Sequence, residues 1–207
     1  MQGYQIKKCS RKDIPSFSEI ICKTFNDKYS CFFIGLSEQD YIELVTNLNL
    51  LSYDKYGNSC KYLLQCDDIN VGALEIYIER RKNIPIGSSL KILSKKYNLL
   101  KGLKTSLMLL GFGPPYFMPK NTLFIDKVGI LKEHQRRGFG KVLLDFTFNK
   151  AKEEHMQFIQ LDVITKNSKA ISLYEKLGFK IINTSSIPLS EIFMGISSHH
   201  RMQKVLK

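Results

Sequence analysis

Between Thr122 and Asn183 the hydrophobic period switches back and forth, and that alternation limits the possible folds more than any other stretch. Leu123–Ile130 reads as a strand, Gly138–His155 as a segment containing a helix, and Phe158–Ile164 as an apolar-rich strand. Asn167–Leu177 reads as a second helix and Phe179–Asn183 as another strand. Strand, helix, strand, helix, strand implies a βαβ crossover that makes the first two strands parallel neighbours. In the first helix, Leu143, Leu144, Phe146, Thr147, Lys150 and Ala151 fall in register for its faces, and Gly178 follows the second as a left-handed terminal residue.

The chemistry-bearing block lies where the first of these strands meets its helix. There the chain reads Gln135-Arg136-Arg137-Gly138-Phe139-Gly140-Lys141. Glycines at that junction let the backbone come close to a ligand. Free N–H groups and the helix dipole then make an anion site suited to a pyrophosphate, with Arg136, Arg137 and Lys141 adding charge. The loop is not a Walker motif, since no Gly-Lys-Ser/Thr follows, and it lacks the three glycines of a Rossmann fingerprint. Taken alone it is equally a tight turn. Downstream stands Asn167-Ser168-Lys169-Ala170-Ile171-Ser172-Leu173-Tyr174-Glu175-Lys176-Leu177-Gly178-Phe179. A helix puts Asn167, Ala170, Ile171 and Tyr174 on or near one face. Asn167 reads equally as a plain N-cap, and Tyr174 as a core aromatic.

In their order and separation, the two blocks together resemble the GNAT (Gcn5-related N-acetyltransferase) superfamily. The first matches its [QR]-x-x-G-x-[GA] pattern and the second its N-x-x-A-x-x-x-Y-x-x-x-G-F segment. The resemblance covers about Leu123–Asn183 closely and residues 4–80 by order of elements alone. It implies an α/β (α+β) GNAT fold: a mixed central sheet of six to seven strands, flanked by helices, with one parallel pair splayed apart. It further implies acetyl-CoA as acyl donor, bound in that gap, and direct attack by an amine without an acyl-enzyme. On this match Leu123–Ile130 is the bulged strand. The Val128 N–H would hold the thioester carbonyl, and Gly129 and Ile130 would line the pantetheine arm. Gln135, Arg136, Arg137, Gly138, Phe139, Gly140 and Lys141 would hold the pyrophosphate, Asn167 would contact the cofactor arm, and Tyr174 would protonate the departing thiolate. Asp126 is the leading candidate for the base, ahead of Asp162 and Glu75, each of which reads more readily as structural. His134 beside the loop reads as a surface residue. N-terminal acetyltransferases of the family often carry Tyr and His where this chain has Phe124 and Asp162, which weakens that reading of the acceptor. A CoA-binding sensor or scaffold without turnover is the alternative.

The rest of the chain is read from residues alone. Gln5–Cys9 is a short strand, and Ser10 caps a helix carrying Ile14, Phe17, Ile20, Ile21 and Phe25. Glu38–Leu48 is an amphipathic helix with Tyr41, Leu44, Val45 and Leu48 on one face, and Tyr53–Asn58 a loop. Lys61–Gln65 and Val71–Ile78 form a hairpin about Asp67-Asp68. In the 83–118 segment, Leu90, Leu93, Tyr97, Leu100 and Leu103 suggest one helix, ended by Gly111–Pro115. The chain is read as one domain over 1–207, with this segment as a helical insertion packed on the sheet; a substrate lid, a dimer face or a membrane-surface helix are the alternatives. Arg201–Leu206 could add a last strand. The acceptor, an amine of unknown identity, would be held by residues 11–48, 83–118 and 184–200, where Ser185–His200 looks polar and flexible and brings His199 and His200.

Composition narrows the partners. A net charge of +12 suits an anionic cofactor or a nucleic acid, but the basic residues are spread evenly and no nucleic-acid-binding motif is present, so no nucleic-acid partner is expected. Five cysteines without CxxC spacing or nearby His pairs argue against a metal. The first residues lack the apolar core of a signal peptide, and no uncharged run is long enough for a transmembrane segment, so a reducing cytoplasm with free thiols is expected. Many members of the resembled family dimerise, so a homodimer is admitted.

Overall fold

The computed structural model describes residues 3–56, 59–78, 84–98, 100–103, 105–106, 118–186 and 198–206. The N-terminal strand β1 (Tyr4–Lys8) runs antiparallel to β2 (Ser59–Cys66), which pairs with β3 (Ile69–Tyr77). Between β2 and β3, Asp67 and Asp68 both take positive φ, 50° and 64°. Those are the dihedrals of the two-residue hairpin turn whose twist matches the flanking strands. β3 pairs antiparallel with β4 (Thr122–Ile130), and β4 runs parallel to β5 (Phe158–Ile164). The last strand in sequence, β7 (Ser198–Val205), inserts between β5 and β6 (Lys180–Ser186), giving the seven-stranded order β1-β2-β3-β4-β5-β7-β6.

Helices cover both faces because successive strand residues alternate sides. One face receives α1 (Ile14–Thr24), α2 (Asn26–Phe32) and α3 (Glu38–Leu51). Ile14, Phe17, Ile20 and Ile21 of α1 pack there with Tyr41, Leu44 and Val45 of α3 over Leu63 and Ala73 of the sheet. Each fully buried side chain of this kind contributes roughly 1.5–3 kcal/mol. The ends of these helices are chemically specified. The Ser10 N–H and hydroxyl both donate to Asp13 before α1, and the Ser37 hydroxyl accepts from the Asp40 N–H at the start of α3.

The opposite face carries α5 (Phe139–Glu153) and α6 (Ser168–Lys176). Leu143, Leu144 and Ala151 of α5 close on Leu74, Ile76, Leu123, Ile125, Ile159, Leu161 and Met202 of the sheet. Gly178 follows α6 at φ 88°, the left-handed terminus expected of it.

Three expectations need correcting. The expected loop over Tyr53–Asn58 is a π-helical turn as far as Tyr56, continuing α3 through Ser52–Tyr56; residues 57–58 lie outside the described set. The expected long helix over Leu90–Leu103 stops: α4 spans Ile86–Leu93. Asn98 then caps a new helical start, its side chain accepting from the Lys101 N–H at 2.9 Å. Leu93 and Tyr97 enter the α1–α3 core, while Leu100 beyond the break is 79% exposed. Residues 107–117, including the expected break at Gly111–Pro115, lie outside the described set. Finally, His199 and His200 belong to β7 and not to a flexible segment, and His200 Nδ1 lies 2.8 Å from the Thr184 hydroxyl of β6. Residues 187–197 between those strands are also outside the described set.

Candidate active site

The parallel pair β4–β5 is joined over four residues only, from Thr122 opposite Phe158 to Ile125 opposite Leu161. Both strands continue, β4 to Ile130 and β5 to Ile164, without pairing to each other. A V-shaped gap therefore opens in the middle of the sheet. Its β4 side is set by a bulge: Ile125 opposes Ile76 and Lys127 opposes Glu75, leaving Asp126 as the extra residue. Beyond the bulge the Leu131 N–H donates to the Val71 carbonyl of β3 at 3.0 Å. In an antiparallel ladder such bonding alternates, so the N–H groups of Val128 and Ile130 point away from β3, toward the gap. The Ile130 carbonyl on that side already accepts from Gln135 Nε2 at 3.0 Å.

At the wide end of the gap the chain turns into α5. Arg136 and Gly138 both take positive φ, 61° and 83°, with Gly138 at the N-cap of the helix. The first amide of α5 to bond back is Val142, to the Gly138 carbonyl at 3.1 Å. The amides of Phe139, Gly140 and Lys141 thus have no intrahelical acceptor, and with the dipole they form an anion cradle. A Cβ on Gly140 would meet nothing within 4 Å, so the side above it is open. Such a cradle fits a pyrophosphate. Arg137 stacks 5.1 Å from the centre of the buried Phe139 ring, and its guanidinium lies 3.2 Å from His134 Nδ1. Lys141 pairs with Asp145 one turn along.

Across the gap, Asn167 caps α6, its side chain accepting from the Ala170 N–H at 3.2 Å. Ala170, Ile171, Tyr174 and Leu177 face the core of that side. The Tyr174 ring sits edge-on to Phe179, and burial pushes its phenol up to about 12. Val128 and Ile130 thus lie on the β4 side of the gap, the 135–141 loop follows β4, Asn167 follows β5, and Tyr174 stands farther along α6 against Phe179. Gly129 is different: its missing Cβ points to α1, 2.7 Å from the Thr24 methyl, so close helix packing explains the glycine.

The α1 face of the same strands is strongly charged, and most of this was not apparent from sequence. Glu75 is buried and takes the Lys61 ammonium on one oxygen at 2.7 Å and the Lys127 ammonium on the other at 2.5 Å. Burial alone would raise its pKa, but the two cations outweigh it and hold the carboxyl far below the usual range. A carboxylate so stabilised is a poor base, which removes Glu75 from the candidates. Lys127 also pairs with Asp126, at 2.5 Å. Burial works against the charge on Lys127, yet Asp126 and Glu75 push its pKa well up and it stays protonated. In a regular strand Asp126 and Val128, two residues apart, would share a face. The bulge between Ile125 and Lys127 breaks that alternation, and Asp126 turns its carboxylate to Lys127. On β5, Asp162 is held by both Nε and NH2 of Arg201 from β7, whose guanidinium also stacks 5.0 Å from the Phe124 ring. Phe124, Asp162 and Arg201, far apart in sequence, thus form one group beside the gap. Among the described residues no three His, Cys, Asp or Glu side chains gather as a metal site, and no helix is long and apolar enough to cross a membrane.

Comparison with known proteins agrees with this geometry. The model of the acetyltransferase (GNAT) family matches residues 23–179. Among solved structures, the chain is similar to the PaiA N-acetyltransferase of Thermoplasma acidophilum in complex with coenzyme A, with TM-score 0.61 and 16% identity over 99% of this chain and 100% of that one. It is also similar to the ribosomal-protein-S18-alanine N-acetyltransferase of Escherichia coli, with TM-score 0.57 and 12% identity over 99% and 94%. A spermidine N-acetyltransferase SpeG chimera from Vibrio cholerae and hSSAT gives TM-score 0.58 and 15% identity over 99% of this chain and 96% of that one. At these identities the likeness is one of fold.

Proposed function

The chain belongs to the GNAT acetyltransferase family, whose acyl donor is acetyl-CoA, and we propose that it transfers that acetyl group to a primary amine by direct attack within a ternary complex. The observation that carries this reading is the gap between β4 and β5, with N–H groups of β4 beyond Ile125 that have no β5 partner on one wall and an anion cradle at its mouth.

In this mechanism the amides of Arg136 to Lys141, with the side chains of Gln135, Arg136, Arg137 and Lys141 around them, hold the pyrophosphate. Ile130 lines the pantetheine arm through its N–H, Gly129 beside it is bonded to β3 and packs against α1, and the side-chain amide of Asn167 reaches the arm from the start of α6. The neutral amine attacks the thioester carbon, a C–N bond forms, and negative charge gathers on the carbonyl oxygen. The Val128 N–H stabilises that charge more in the transition state than in the ground state, which is what raises the rate. The C–S bond then breaks, and the thiolate takes its proton from Tyr174. The ammonium proton leaves through Asp126, which follows the last paired residue of β4 at the apex of the gap, directly or by water. Tyr174 recovers its proton from solvent.

The acceptor reaches the thioester from the α1 face, and residues 11–48, 83–118 and 184–200 of a single domain supply its binding site. The charged pairs there favour a polar amine, small or on a protein. A cytoplasmic protein, monomer or homodimer, fits this role.

Calorimetric titration with acetyl-CoA, with dephospho-CoA and ATP as controls, tests the donor. An amine panel followed by thiol release tests the reaction. Acetyl-CoA binding with no thiol release for any amine would replace this reading by that of a silent CoA sensor.

A further inference from the structure

A bulge can slide along a ladder unless something holds it, and a shift of one residue turns every following backbone group to the other side. Here the held residue is visible. The bulge puts Asp126 and Lys127 together opposite Glu75. On the α1 face the Lys127 ammonium bonds both carboxylates, Glu75 of β3 and Asp126 of the bulge itself. Glu75 is anchored in turn by Lys61 of β2 and by the Tyr77 hydroxyl at 3.3 Å, and Lys61 by the Ser59 hydroxyl at 2.6 Å. The chain of contacts crosses three strands and ends at the residue that sets the register of Val128. Burying such charges is costly, and apolar groups of the same volume are often as stable or more so. Stability alone does not explain them.

We propose that Lys127 is a positioning residue for acyl transfer: by tying Asp126 to Glu75 it fixes the bulge and so aims the Val128 N–H into the gap. The proposal rests on the reading that this N–H receives the thioester oxygen.

Lys127→Met tests it, because it cuts the tie while leaving the Lys61–Glu75 pair whole. Turnover is measured per acetyl-CoA site, the sites being counted by calorimetric stoichiometry so that unfolded protein does not enter. Loss of one oxyanion donor typically costs about 10²–10³ in rate; with the donor misaimed and not deleted, we expect kcat per site to fall about tenfold or more. The KM for acetyl-CoA should move less than about threefold, since the contact acts in the transition state. Glu75→Asp keeps every charge and only shortens the reach, so it serves if Lys127→Met does not fold; a smaller fall in kcat, again without a change in KM, is expected. Wild-type turnover per site in either folded variant, or a rise in KM with kcat unchanged, overturns the positioning role alone. No turnover in the wild-type protein with any amine overturns the acyl-transfer reading and this proposal together.

Discussion

The Cβ that Gly129 lacks would fall 2.7 Å from the Thr24 methyl carbon and 3.0 Å from its Oγ1. Both neighbours sit on the last residue of α1, so the helix approaches β4 as closely as a glycine permits. Gly129→Ala should therefore push α1 off the strand, at a cost of about 1–3 kcal/mol for overpacking. Thr24→Ala removes the methyl and a hydroxyl that is buried without a partner among the described residues. The double variant should recover part of the loss, with a coupling of about 0.5 kcal/mol or more in urea unfolding. Strictly additive costs would mean that the strand and not the helix limits residue 129.

Gly138 and Gly140 are two residues apart but should respond in opposite ways. Gly138 holds φ at 83°, where a side chain is strained, so Gly138→Ala should cost roughly 1–2 kcal/mol of stability. Gly140 is in the first turn of α5, with open space where a Cβ would go. Gly140→Ala should leave stability unchanged or raise it by up to about 1 kcal/mol, as helical Gly→Ala changes do. If the pyrophosphate lies on that open side, acetyl-CoA affinity should nevertheless drop. A thermal melt and a calorimetric titration on each variant separate the two effects. Equal affinity in Gly140→Val and wild type would place the phosphates elsewhere.

The cradle and the two helices beside it were legible because their signals are local: glycines at a strand-to-helix junction, an Asn cap, a face repeating every three or four residues. What escaped depends on pairing between distant segments. The bulge of β4 was expected from the family resemblance alone, but its position was not: nothing in Phe124-Ile125-Asp126-Lys127-Val128 marks it, since no glycine stands there and the extra residue exists only relative to Glu75 on β3. The Arg201 contact with Asp162 and Phe124 needs β7 inserted between β5 and β6, a non-local choice that no short window contains. The break in the 83–118 segment was readable in part. Asn98 is an N-cap residue standing three before Lys101, and its signal was overridden by the regular leucine spacing around it.

Tyr174 offers a test of proton donation. Burial pushes its phenol up to about 12, so it is protonated throughout the working range and its own ionisation cannot shape activity near neutral pH. A group with so high a pKa gives up its proton only to a strong base. The departing thiolate, desolvated in the same gap, becomes one as the C–S bond breaks. Tyr174→Phe should cut kcat by about 10²-fold while leaving acetyl-CoA affinity near wild type. Unchanged kcat would assign the proton to water and leave Tyr174 as a packing residue against Phe179.

Two thiols should be silent in the native protein. Cys9 and Cys22 are buried at 5% and 0% exposure. Burial, with the Asp13 charge adding at Cys9, pushes both thiols up to about 12 from an ordinary 9.0. The thiolate is the reactive form, so neither should alkylate at pH 8, whereas partly exposed Cys60 should be modified before Cys9, Cys22 and Cys66. Peptide mapping after iodoacetamide, with and without urea, reads each position separately. The same shift has a consequence for stability. Because the folded values lie above the unfolded one, the folded state holds these protons more tightly. The stability they contribute is full below pH about 9 and declines as pH rises toward 12. Replacing both by Ala or Ser should flatten that alkaline decline, and native-state labelling of Cys22 at the rate of Cys60 would show that α1 opens from the sheet without global unfolding.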